Sequence, residues 1–121
     1  MRGGRMRRVD VAMRVVLSDA IANDLKDPRV GFVTVTGVKT SPDLRYASVY
    51  VSVLGDEPAR AASLDGLRSA RGFLQHRVAT ELTLKHTPAL SFEYDESIDH
   101  GMRISRLLNQ EAAAGERFDD R

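Results

Sequence analysis

Between Leu64 and Leu84 the sequence reads LDGLRSARGFLQHRVATELTL. Leu64, Leu67, Ala70, Leu74, Val78 and Leu82 recur three or four residues apart, which places them on one face of a helix. Gly72 interrupts the pattern. A glycine inside a helix costs ~1 kcal/mol relative to alanine and frees the backbone to bend. Arg68, Arg71, His76 and Arg77 surround it, with Lys85 and His86 just beyond. Between Gly66 and His86 a single acid, Glu81, stands against four Arg or Lys residues. The stretch is therefore expected to be an amphipathic helix that carries a kink at Gly72 and positive charge at the same place.

The flanking sequence says what this segment packs on. Phe32–Lys39 (FVTVTGVK) alternates β-branched and polar residues, as a half-buried strand does. Tyr46–Val53 (YASVYVSV) repeats the pattern with Ala47, Val49, Val51 and Val53 on one side. The linker TSPDLR between them has ordinary turn chemistry, so the two strands should form an antiparallel hairpin. Thr34, Thr36, Ser48, Tyr50 and Ser52 are expected on the solvated face. Ahead of the hairpin, Val9, Met13, Val16, Leu17, Ala20, Ile21 and Leu25 predict a helix from Arg8, stopped by Asp27 because Pro28 disfavours helical geometry before it. A second helix starts near Ala59 and leads into the kinked segment. Ala89–Tyr94 (ALSFEY) reads as a third strand, able to pair beside either hairpin strand, and Ser97–Gln110 returns to helical spacing. The order α-β-β-α(kink)α-β-α defines an α+β fold, a three-stranded sheet with helices on one face. A flexible basic arm is expected over 1–7, one domain over 8–110, and a disordered tail over 111–121.

Composition narrows the chemistry. At 121 residues the chain can bury a single core without staples, and it has no cysteine, which excludes disulfides, thiol catalysis and cysteine-based zinc sites. The net charge of +1 hides an uneven distribution: Arg2, Arg5, Arg7 and Arg8 crowd the start, while the last eleven residues lean acidic. Fifteen of the eighteen basic residues are arginine, whose planar fork suits phosphate. No apolar run approaches the ~20 residues that cross a bilayer, and the basic N-terminus lacks the apolar core of a secretion signal. The expected location is the cytoplasm. His76, His86 and His100 show no metal-ligand spacing, and no phosphate loop or nucleophile elbow occurs. The acids Asp95, Glu96 and Asp99 suit the start of the next helix, which Ser97 or Asp99 would cap. No metal, no cofactor, no small-molecule substrate and no enzymatic activity are expected.

The stretches LKDPRVG (Leu25–Gly31), VTVTGVKTSPDLRYASVYVSVLG (Val33–Gly55) and LRSARGFLQHRVATELTLKHTPALSFEYDES (Leu67–Ser97), in this order and spacing, resemble the bacterial ribosome-binding factor A family. The resemblance implies a KH-like domain of the second topological type that acts in maturation of the small ribosomal subunit. RNA-binding KH domains join two helices by a GXXG loop that clamps nucleotides. The family instead has an Ala-x-Gly kink, matched here by Ala70, Arg71 and Gly72, so single-strand sequence reading is not implied. Folded ribosomal RNA is the better target.

Each candidate has a plainer reading. An isolated helix glycine is more often a packing feature, and it is the surrounding arginines together with the resemblance that favour RNA at Ala70–Gly72. There, small side chains would let an RNA backbone approach and Arg71 would reach a phosphate. Arg68, Arg77 and Lys85 would add charge. Asp27 and Pro28 suit a helix stop, from which Arg29 could still face phosphate. Arg8, Arg14 and the N-terminal arm would supply salt-sensitive affinity. The aromatic residues, Phe73 among them, belong mostly to the core or sheet face, and Tyr46 could stack on a base. The function expected is that of a monomeric RNA-binding factor that docks transiently on the free 30S subunit, touches 16S rRNA, assists its folding and 5′-end processing, and matters most in the cold. The alternative is a protein-interaction module that docks through the solvated strand face and the last helix, or a general KH-like RNA binder not tied to ribosome assembly.

Overall fold

The computed structural model describes residues 4–97, in the order α1 (Gly4–Asn23), β1 (Val33–Thr40), β2 (Tyr46–Val53), α2 (Glu57–Ser69), α3 (Arg71–Glu81) and β3 (Ala89–Tyr94). β1 and β2 are antiparallel, with Val33 opposite Val53 and Thr40 opposite Ala47. β3 pairs in parallel beside β2, with Ala47 opposite Leu90 and Val49 opposite Phe92. The sheet order is β1-β2-β3. The third strand thus chose the inner partner, which the crossover through α2 and α3 allows.

The core lies between the helices and one sheet face. Met13, Leu17, Val49, Val51, Leu67, Leu74 and Val78 are wholly buried, and Phe92 is nearly so. β2 buries every second residue from Ala47 to Val53, as its alternation requires. β1 does not keep strict alternation. Its register shifts between Val35 and Gly37, so one extra residue, Thr36, is accommodated as a bulge. Without that bulge Val38 would point to solvent; with it, Val35 and Val38 both reach the core. Thr36 stays opposite buried Val35, and its hydroxyl donates to the Asp95 carboxylate at 2.6 Å, beyond the end of β3.

The buried polar residues Thr40 and Ser63 find partners. Thr40 is 1 % exposed, and leaving its groups unsatisfied would cost about 1–3 kcal/mol each. Asp10 on α1 accepts from both, at 3.0 Å from the backbone N–H and 2.7 Å from the hydroxyl, which pins α1 to the end of β1. Buried Ser63 on α2 accepts from the Gly31 N–H at 3.2 Å and donates to the Arg29 carbonyl, which seats the α1–β1 connection on α2.

Three boundaries and one cap differ from the sequence reading. α1 begins at Gly4 rather than Arg8, so residues 4–7 of the expected arm are helical, and it ends at Asn23, ahead of the limit expected at Asp27. β1 is offset by one residue. α2 starts at Glu57, two residues earlier than expected, because Asp56 accepts from the Ala59 N–H at 3.0 Å and Pro58 suits the first turn. Asp95, rather than Ser97, is the acceptor at the end of β3: the Ser97 N–H donates to it at 3.0 Å. The remainder of the helix expected over Ser97–Gln110, and the tail 111–121, lie outside the described residues.

Candidate nucleic-acid interface

The amphipathic segment is two helices, and the break is at Ala70, not at Gly72. Ala70 has φ −90° and ψ 9°, and it ends α2 while starting α3. Its N–H is shared between the carbonyls of Gly66 and Leu67, each at 3.1 Å, and its own carbonyl accepts from Leu74 at 3.0 Å. Such three-centre bonds are typical of a tightening last turn. Gly72 lies inside the first turn of α3, and a Cβ placed there would meet nothing within 4 Å. Packing therefore does not require a glycine at this position, and its backbone conformation does not either.

The first turn of α3 has an unusual combination of properties. No side chain caps it, and the first N–H groups of any helix lack intrahelical acceptors. Arg71, Gly72 and Phe73 are all exposed. Arg71 has no ion partner among the described residues. A helix start of this kind offers N–H donors and positive potential to an anion, and here a free guanidinium stands beside it with no side chain over Gly72. Phe73 follows directly, 42 % exposed. The sequence reading placed Phe73 with the core or sheet-face aromatics; the signal against that was its position one residue off the Leu67–Leu74–Val78 stripe.

The other candidates divide. Gly66 faces the α1–β1 connection so closely that a Cβ on it would come within 2.6 Å of Val30 Cγ2 and 3.4 Å of Arg29 Cβ. Ala70 lies one turn beyond Gly66 on that side of α2, and Arg71 and Gly72 follow it at the start of α3. Arg68 turns away. It donates to the Phe92 carbonyl at 3.0 Å and pairs loosely with Asp65 at 4.0 Å. Arg8 and Arg14 are exposed on the outer face of α1, beside exposed Val11 and Val15, and Lys85 is exposed between α3 and β3. Tyr46, 65 % exposed, edges a shallow cavity of about 470 Å³ with Lys39, Pro42 and Ser48.

Arg77 is the clearest departure from a phosphate-binding role. Its Nε donates to Glu81 at 2.5 Å, its Nη2 to Asp19 at 3.1 Å and its Nη1 to Asp24. Its side chain is 20 % exposed. The Glu81 and Asp24 carboxylates, then Asp19, push the guanidinium pKa further up. A guanidinium held by three carboxylates clamps α3 to the end of α1 and has little charge left for RNA.

Asp27 and Arg29 form a second pair. Arg29 donates to the Asp27 carboxylate through Nη2 at 2.6 Å and Nε at 3.1 Å, and its backbone N–H adds a bond at 2.9 Å. The guanidinium and then the backbone N–H hold the Asp27 carboxyl at about 2, below its ordinary 3.8. A carboxyl depressed on folding stabilises the native state above the unfolded value and loses that contribution as pH falls through the folded one. Carboxylate chemical shifts followed by NMR should therefore give Asp27 a midpoint near pH 2, and Arg29→Ala should return it toward 3.8. A midpoint near 4 in the unaltered protein would remove the pair from solution.

The order α-β-β-α-α-β, with three helices covering one face of a mixed sheet, defines a KH-like α+β domain whose helix junction lacks the two-glycine loop. The family model for ribosome-binding factor A matches residues 5–108, and the chain belongs to that family. Solved structures agree. The crystal structure of ribosome-binding factor A from Thermus thermophilus is 28 % identical, with a TM-score of 0.66 over 74 % of this chain and 94 % of that one. The solution NMR structure of the Thermotoga maritima protein TM0855 is 33 % identical, with a TM-score of 0.68 over 77 % and 89 %. A Thermus thermophilus ribosome binding factor A homology model, fitted into a cryo-EM map of a 30S complex of that protein, is 28 % identical, with a TM-score of 0.61 over 72 % and 91 %.

Proposed function

We propose that this protein docks transiently on the free 30S subunit as a monomer and contacts 16S rRNA through phosphates at the α2–α3 junction. There it favours the native arrangement of the RNA during late maturation, including 5′-end processing, without catalysing a reaction. Need for it rises in the cold, because misfolded RNA helices escape more slowly as temperature falls. Family membership and the 30S complex of the Thermus thermophilus relative support the partner.

The observation that carries the site is Gly72. A glycine in helical conformation with open space around it costs the fold ~1 kcal/mol relative to alanine, and it sits at an uncapped helix start beside Arg71, which has no ion partner among the described residues. Close approach of an RNA backbone accounts for that cost. Arg71 is the first phosphate contact; Arg8, Arg14 and Lys85 add charge from neighbouring elements, and Arg29 and Arg68 add only what their pairs with Asp27 and Asp65 leave. Arg77 acts from behind, by fixing α3.

Gly72→Ala separates the two roles. It should raise the melting midpoint, by the equivalent of about 0.5–1 kcal/mol, yet weaken association with 30S subunits. Supplied to cells lacking the protein, it should leave immature 16S rRNA and excess free subunits on sedimentation at low temperature. A variant that is both more stable and fully active would return Gly72 to a neutral position.

A further inference from the structure

The end of the sheet away from the β1–β2 turn presents a different surface. Phe32 and Leu54 are 80 % and 77 % exposed, the largest values among the exposed large apolar residues described. They are neighbours: the Leu54 N–H donates to the Phe32 carbonyl at 3.0 Å, which continues the β1–β2 ladder one step beyond Val33 and Val53. Side chains alternate along strands. Val53 faces the core, so Phe32 and Leu54 stand together on the opposite face, which no helix among the described residues covers. Rigid parts hold them there. Gly31 is tied to Ser63, and Gly55 turns the chain into α2 with φ +133°, a value that favours glycine.

The charge around this pair is acidic. Asp56 and Glu57 follow Leu54 almost directly, and Asp95 and Glu96 leave the sheet at the same end, where the Asp95 N–H donates to the Val51 carbonyl. Ser97 and Thr36, both bonded to Asp95, lower its pKa, so it is charged at neutral pH. The nearby guanidinium of Arg60 lies over the Tyr94 ring, 3.7 Å from its centre. An acid-rimmed apolar pair repels a polyanion and suits a cationic polypeptide with apolar side chains. Two large apolar side chains at the centre and charges at the rim are also the layout of a protein-binding hot spot.

We infer that the Phe32–Leu54 end docks a basic, partly apolar polypeptide segment of a small-subunit protein, while the α2–α3 junction takes the RNA. The inference rests on the proposed docking to the 30S subunit, and it adds a second contact of opposite character.

The test compares two binding targets, assembled 30S subunits and protein-free 16S rRNA, for the full chain. Phe32→Ser with Leu54→Ser should weaken binding to assembled subunits at least about tenfold and leave rRNA affinity within about twofold. Its circular dichroism and melt should match the parent, since both side chains are exposed. Glu57→Lys should also weaken binding to assembled subunits. Equal loss on both targets would make RNA the occupant and overturn the inference, as would unchanged binding of both variants or a gain from Glu57→Lys. Concentration-dependent dimerisation that the serine pair abolishes would make a second copy the occupant and overturn it too. Unaltered protein that ignored both targets would overturn the RNA reading, and this one with it.

Discussion

Arg71→Glu is expected to weaken association with 30S subunits by roughly an order of magnitude or more and to leave the thermal melt unchanged. The structure explains why the two effects part. Arg71 is exposed and has no ion partner among the described residues, so nothing in the fold depends on its charge. At the uncapped start of α3, however, a carboxylate would replace the cation nearest the free N–H groups. It would both remove a phosphate contact and repel the RNA. The salt dependence carries the signature: the slope of log affinity against log salt should shrink by about one for the lost phosphate contact. Binding measured from low to moderate salt checks it. An unchanged slope would place Arg71 outside the interface.

Arg77→Glu should do the reverse and damage the fold. The substitution would set a fourth carboxylate among Asp19, Asp24 and Glu81, leaving three acids without the guanidinium that now bridges them. Breaking a partly buried ion network is far more costly than losing an exposed pair. The melting midpoint should fall on the order of 10 °C, and subunit binding should fall only as the folded fraction does. Reversing both arginines at once would confuse the two roles; the single variants keep them apart. Full stability of Arg77→Glu would show that the clamp contributes nothing and would restore Arg77 as a candidate RNA contact.

The different fates of these arginines mark how far the sequence could be read. β2 and β3 matched their expected bounds because their alternation is local and uninterrupted. The core faces of α1, α2 and α3 followed from apolar spacing for the same reason. The bulge in β1 was hidden because Thr36 and Gly37 look like an ordinary polar-outward pair; only the need to bury Val38 as well as Val35 reveals it. The position of the helix break was misjudged because intrinsic propensity pointed to Gly72. Propensity there is worth ~1 kcal/mol, less than the burial of Leu67 and Leu74, which act on either side of Ala70. The distant ion partners of Arg77 were not legible because the acids Asp24 and Asp19 lie 53 and 58 residues away. Its nearer partner Glu81, one turn on, could be seen in the sequence, but a single i,i+4 pair is weak and would not have held the charge back from RNA.

The break at Ala70 has a further consequence, one of length. As a single uninterrupted rod, residues 57–81 would run roughly 37 Å, whereas strands of eight residues span roughly 27 Å. One straight helix would overhang the sheet by nearly two turns and leave those turns with nothing to cover. Dividing it lets α2 lie over β3 while α3 packs beside α1. The interruption is thus a matter of fitting a long segment to a short sheet, and the unprotected start of α3 comes with it. What this chain adds to that opening is small: one arginine with its charge unspent, and one glycine the fold itself has no use for.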